Sequence, residues 1–207
     1  MRTLSAFDLD GTLVTKNSSL AFCRFLYGKG YFGPSEFLFV MGAYLRHRFF
    51  RTSLYSLHNQ AFRALFHGKE FAVLHKLAVE FVETKLPSLL YTPALIRLQR
   101  EGGVILSNSP ALLVEPIAEA LGVESAVGSA YAVDNRGRLS AISAVVDGKA
   151  KRALLEKLKE KGGFDATLAY SDSFLDLPFL EGATQAIVVR PDRRLASHAK
   201  KRGWEVL

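Results

Sequence analysis

Three short apolar runs each end in oxygen-bearing side chains. Leu4 to Phe7 runs into Asp8, Asp10 and Gly11, and Val104 to Leu106 into Ser107, Asn108 and Ser109. Ala166 to Tyr170 leads to Ser171 and Asp172, with Asp176 soon after. Each group alone has an ordinary use, as loop former, helix cap or turn residue. If the runs are neighbouring parallel strands, however, Asp8 with Asp10, Ser107 with Asn108 and Asp172 with Asp176 converge on one edge of a sheet. Asp8, Asp10 and Asp172 crowded together would raise one another's pKa unless a cation neutralised them, and oxygen-only ligands suit a hard ion such as Mg²⁺. An ionised carboxylate beside that ion can attack phosphorus. A second carboxyl, partly protonated, can give its proton to the leaving oxygen. A hydroxyl, N–H groups at a helix start and one lysine would neutralise the phosphoryl oxygens, and Ser107, the N–H groups around Asn108 and Ser109, and Lys149 or Lys151 are available.

Those side chains need a scaffold, and the periodicity supplies one. Leu4 to Phe7, Val104 to Leu106, Ala166 to Tyr170 and Ala186 to Val189 read as buried strands. Helices are expected from Pro110, as first-turn residue, to about Leu121, from Ala150 to Lys161, and from Asp192 to Arg202. Residues Ala126 to Ala132 and Leu139 to Val146 flank the turn-rich Asp134, Asn135, Arg136 and Gly137, which suggests a hairpin. The alternation implies an α/β fold, a mostly parallel, Rossmann-like sheet with helices on both faces. From Ser18 to about Leu86 the pattern is helical throughout, punctuated by Gly28, Gly30, Gly33, Pro34, Gly68 and Pro87. A small all-helical cap inserted after the first strand, residues 16–86, is therefore expected between the two parts of a core domain, 1–15 and 87–207.

The 207 residues are 49% apolar and 23% charged, which excludes wholesale disorder. The formal charge of +7 favours an anionic partner: nucleic acid, a phospholipid surface or a small phosphorylated molecule. No nucleic-acid-binding motif accompanies that charge, so nucleic acid is not expected. No obligate protein partner is indicated. A lone Cys23 and a start without a signal-peptide core point to a cytoplasmic protein. The apolar stretch Phe37 to Leu45 is far short of the ~20 residues needed to cross a bilayer.

Phe7-Asp8-Leu9-Asp10-Gly11-Thr12-Leu13-Val14 resembles the first motif of the haloacid dehalogenase (HAD) superfamily. Leu106-Ser107-Asn108-Ser109 resembles the second, Ala150-Lys151-Arg152 the third, and the stretch from Tyr170 to Pro178 the fourth. The order and spacing agree over nearly the whole chain, and a helical insert between the first two motifs is the arrangement of the subfamily that includes phosphoserine phosphatase. The resemblance implies a HAD fold and a Mg²⁺-dependent phosphatase working through an aspartyl-phosphate. Asp8 would be nucleophile and metal ligand. Asp10 would be general acid and then base, with its backbone carbonyl on the metal. Thr12, Ser107 and Asn108 would bind the phosphoryl group, Lys151 would neutralise it, and Asp172 would complete the metal site. Asp176 would support the fourth-motif loop or reach the metal through water. Lys151 fits the spacing to the following leucines better than Lys149, and whichever does not face the phosphate is a solvated charge. Dehalogenases of the superfamily lack a carboxylate at the place of Asp10, so its presence favours ester hydrolysis.

The substrate should be selected by the insert. Phosphoserine phosphatases carry a glutamate nine residues after the nucleophile to hold the substrate ammonium; Asn17 stands there in this chain, and a buried ammonium would lose its counter-ion. The insert also carries Phe32, Phe37, Phe39, Tyr44, Phe49 and Phe50 beside Arg46, Arg48 and Arg51. These could be the insert's own core, or they could suit an anionic amphiphile, as in the phosphatidylglycerophosphate phosphatases of the same subfamily. The expected partner is therefore a small phosphorylated metabolite or a lipid phosphate, with peripheral contact to the inner face of a membrane through the insert as a second expectation.

Overall fold

The computed structural model describes residues 2–50 and 53–207, and the side chains of residues 47, 48 and 50 lie outside the description. Its centre is β1 (Thr3–Phe7), which pairs in parallel with β2 (Val104–Pro110) on one side and β5 (Ala166–Ser171) on the other. The sheet continues outward through β3 (Ser125–Val133) and the antiparallel β4 (Leu139–Ala144) on the β2 side, and through β6 (Gln185–Val188) and β7 (Glu205–Val206) on the β5 side. Strand order is β4-β3-β2-β1-β5-β6-β7. The chain leaves β1 toward β2 and β3, then returns to fill the opposite side, so the topology reverses between β1 and β5. A crevice opens at such a point beyond the carboxyl ends of the strands.

Side-chain alternation along the strands splits the core in two. Phe7, Ile105, Tyr170 and Ile187 face α5 (Thr92–Glu101), α6 (Ala111–Ala120) and the helical insert. Ala6, Leu106, Ala169 and Val188 face α7 (Gly148–Gly162), α8 (Leu177–Gly182) and α9 (Arg193–Arg202). The Phe7 and Tyr170 rings stack at 4.2 Å between centroids, locking β1 to β5 beneath the crevice.

The insert comprises α1 (Ser18–Gly28), α2 (Pro34–Phe50), α3 (Leu54–Leu65) and α4 (Phe71–Lys85), closed by a 3₁₀ turn at Leu86–Ser88. Phe22, Phe25 and Phe81 form an edge-to-face cluster inside it. Its two connections to the sheet are zipped together: the Thr15 N–H donates to Leu89 O and the Tyr91 N–H to Leu13 O. The expected hairpin is present as β3 and β4. It also carries the insert, since the Gly68 N–H donates to Leu139 O, the Leu139 N–H to Lys69 O, and Phe62 meets Tyr131 edge-on.

Element ends shift by a residue or two from the sequence reading, and two of the shifts bear on the site. Pro110 is the last residue of β2 and caps α6 rather than starting its first turn, because its ψ of 136° is extended. The second hairpin strand ends at Ala144, and beyond it the Val146 N–H turns onto Ser129 Oγ.

Candidate active site

Asp8 follows β1 directly and its N–H donates to Tyr170 O, so the neighbouring strand fixes its backbone over the crevice. Its side chain is buried, and Oδ1 accepts from Lys151 Nζ at 2.6 Å. The second oxygen takes no hydrogen bond among the described residues. Lys151 Nζ also donates to Asp176 Oδ2 at 2.7 Å, and that oxygen takes a further bond from Ser171 Oγ at 2.7 Å. One ammonium, 1% exposed, thus sits between two buried carboxylates.

Lys151 owes its place to the start of α7. Asp147 caps that helix by accepting from the Lys149 and Ala150 N–H groups, which sets the helical phase. Lys149 then faces solvent while Lys151, half a turn on, points inward. Gly148 lets the helix start close against the Leu175–Asp176 turn: a Cβ there would lie 2.4 Å from Leu175 O.

Asp172 enters from the end of β5 beneath Gly11. At Gly11 φ is +84°, and a Cβ would fall 2.1 Å from Asp172 Oδ2. Asp172 Oδ1 and Thr12 Oγ1 are both buried with no hydrogen-bond partner among the described residues. Ser107 is fully buried, its Oγ accepting from the Ser109 N–H at 3.1 Å. Asn108, next to it, is partly accessible, and its carbonyl accepts from Ser129 Oγ at 2.7 Å.

Asp10 is held separately from Asp8. Its Oδ1 accepts from the Ser18 N–H and its Oδ2 from Ser109 Oγ, each at 2.6 Å. Asn17 caps α1, with its Oδ1 spent on the Leu20 N–H at 2.8 Å.

The electrostatics follow from burial. Desolvation raises the Asp8 carboxyl well above the ordinary range; Lys151 pulls it back, and Asp176 and Asp172 push it up again. Asp172 is pushed up to about 7, by burial first and then by the charge of Asp176. Burial likewise raises Asp10, against the lowering effect of the Ser109 and Ser18 bonds. Burial alone would lower Lys151, but the Asp176 and Asp8 carboxylates outweigh it and hold the ammonium above its usual value. Two raised carboxylates and an orphaned carboxylate oxygen in one pocket fit a hard cation. Among the described residues no three His, Cys, Asp or Glu side chains form a metal cage. An ion here would therefore take two carboxylates, backbone oxygen and water, a set that suits Mg²⁺.

Sequence reasoning overlooked several groups that shape this pocket. Asp192 fastens the Asp172 loop, its N–H donating to Asp172 O at 2.9 Å and its Oδ2 accepting from the Phe174 N–H at 2.7 Å. Ser171, Ser18, Ser19 and the Ser109 hydroxyl also bond within or around it. An aspartate opening a helix straight after a strand end was the available signal for Asp192. Ser109 and Ser171 stand at strand ends, but nothing in the sequence marks their hydroxyls as bonding within the site, and Ser18 and Ser19 carry no signal.

A mostly parallel sheet with this acidic crevice defines the class. The family model of haloacid dehalogenase-like hydrolases matches residues 6–181. The chain belongs to that family of hydrolases. A Mycobacterium tuberculosis protein described as a probable phosphatase is 31% identical over 100% of this chain and 75% of its own length. A Bordetella pertussis structure of unknown function superimposes with a TM-score of 0.83 at 24% identity, covering 100% of this chain and 98% of that one. A substrate-bound phosphoserine phosphatase structure gives 0.66 at 18% identity, over 95% and 90%.

Proposed function

We propose that the protein is a Mg²⁺-dependent phosphomonoesterase that works through a phosphorylated Asp8. The observation that carries this reading is the Lys151 ammonium clamped between Asp8 and Asp176, with one Asp8 oxygen left without a hydrogen bond among the described residues. In the first step that oxygen bonds to phosphorus as the ester P–O bond breaks, and Asp10 gives its proton to the departing alcohol oxygen. In the second, Asp10 takes a proton from water, whose oxygen attacks phosphorus and releases inorganic phosphate and free Asp8. Thr12, whose buried hydroxyl lacks a partner, Ser107 and the N–H groups around Asn108 hold the phosphoryl oxygens, and Lys151 offsets their charge. Asp8, Asp172 and the Asp10 carbonyl would hold Mg²⁺, which when bound adds positive charge opposite the phosphoryl oxygens. Residues 16–86 act as a cap that excludes water and selects the alcohol, over a core of 1–15 and 87–207.

For the substrate we favour a small phosphorylated metabolite other than phosphoserine. Asn17 carries no charge to offset an ammonium, and its Oδ1 already accepts from the Leu20 N–H as the cap of α1. A lipid phosphate is the second reading, favoured by exposed Leu38, Phe39, Leu45 and Phe49 on α2 and Tyr55 on α3. Phe32 and Phe37, in contrast, pack against the core, and the Arg48, Phe50 and Arg51 side chains lie outside the described residues. Among the described residues no helix is long and apolar enough to cross a membrane. Turnover of phosphoserine, small sugar and alcohol phosphates and dispersed phosphatidylglycerophosphate, with Asp8→Asn as control, separates these readings. Selective phosphoserine turnover would defeat the argument from Asn17, and activity surviving in Asp8→Asn would remove the nucleophile.

A further inference from the structure

Asp10 is oriented by groups from two different parts of the molecule, a hydroxyl at the end of β2 and a backbone N–H at the start of α1. Ser109, 1% exposed at the end of β2, donates its proton to Asp10 Oδ2 at 2.6 Å. A serine has one hydroxyl proton, so the 2.6 Å contact between Ser109 Oγ and Ser19 Oγ has Ser19 as donor. Ser18 Oγ stands 3.4 Å from Ser109 Oγ, while the Ser18 N–H, in the first turn of α1, holds the other carboxylate oxygen at 2.6 Å. Rotation of the carboxyl about its last torsion breaks both bonds. Its plane is therefore fixed only while the start of α1, in the insert, rests on the end of β2, in the sheet.

We propose that Ser109, backed by Ser19, is a positioning residue that aims the Asp10 carboxyl at the leaving oxygen, so that seating of the insert assembles the proton donor. The proposal rests on the reading of Asp10 as acid given above. A general acid contributes about 10²- to 10⁴-fold, but only where the leaving group needs a proton. Loss of aim should therefore show as a dependence on the leaving group. A merely structural defect would slow all substrates alike.

The test measures kcat/KM of the Mg²⁺-loaded enzyme on 2,4-dinitrophenyl, p-nitrophenyl and phenyl phosphates, whose phenols are progressively worse leaving groups. Ser109→Ala should lose about tenfold or more on phenyl phosphate and little on the dinitrophenyl ester, with KM nearly unchanged. Ser109→Thr, which keeps the hydroxyl, should restore the wild-type pattern. Ser19→Ala should move in the same direction by less, and it serves if Ser109→Ala does not fold. Equal losses across the series, or a Ser109→Thr variant no better than Ser109→Ala, overturn the proposal. Asp10→Asn is the control for the underlying reading: if it shows no leaving-group dependence, Asp10 is not the acid. If it does while both serine variants stay flat, only the role of Ser109 fails.

Discussion

Replacing Lys151 with methionine keeps most of the buried volume and removes the charge shared by Asp8 and Asp176. The ammonium makes bonds of 2.6 and 2.7 Å and is 1% exposed, so water cannot take its place without opening the core. Removing one partner of a buried ion pair costs about 3–5 kcal/mol, because the remaining charge stays desolvated. That is a large part of the ~5–15 kcal/mol by which domains are stable, yet it leaves the fold populated. The cost should depend on pH. Lys151 is held above its ordinary value by Asp176 and Asp8 although burial opposes it, so it stays charged from about pH 5 to 8 and its contribution is constant there. In Lys151→Met the Asp8 carboxyl, already raised by burial, rises further. Protonation then relieves it as pH falls through the new value. Urea unfolding without metal at about pH 8 and pH 5 should show the full loss at the higher pH and a clearly smaller one at the lower. A loss under about 1 kcal/mol at both, or a larger loss at pH 5, would refute the shared-ammonium account.

Other consequences are as specific. Asp172, raised to about 7 by burial and by Asp176, binds its proton more tightly in the folded chain than in the unfolded one, so metal-free stability should fall as pH rises from about 4 toward 7. Mg²⁺ favours the ionised form, and calorimetry should find a larger Mg²⁺-induced rise in Tm at about pH 8 than at pH 5.5. Thr12→Val removes a buried hydroxyl without a partner; unfolding should show unchanged or higher stability, while inhibition by inorganic phosphate weakens by about tenfold, one lost hydrogen bond. Gly148→Ala forces a Cβ to within 2.4 Å of Leu175 O, and should push α7 off the Asp176 turn and lower kcat strongly with a smaller effect on Tm.

Much of this site was legible because strand ends are local events. An apolar run that stops at an aspartate before Gly11, and another that stops at Asp172, place both groups on one edge once the strands are parallel. Lys149 and Lys151 could not be ranked firmly from spacing to the leucines, because helical phase depends on where the helix begins. Asp147, as N-cap, decides it by engaging the Lys149 and Ala150 N–H groups. The bonds of Ser109 to Asp10 and Ser19 join residues far apart in the chain, and no local period encodes them. Tyr170 to Glu101, which ties β5 to α5, is of the same kind. Asn17 shows the reverse case. The sequence marks it as a departure from the family pattern, and only the structure shows its carbonyl oxygen committed to capping α1.

The central claim is a covalent phosphate on Asp8. Rapid quenching during turnover of p-nitrophenyl phosphate, followed by borohydride reduction and peptide mass spectrometry, reads it directly. Reduction of an acyl phosphate at Asp8 to homoserine, absent in Asp8→Asn and without substrate, is the predicted result. An unmodified Asp8 peptide under conditions where turnover is trapped in mid-reaction, or the adduct on another residue, would contradict the account.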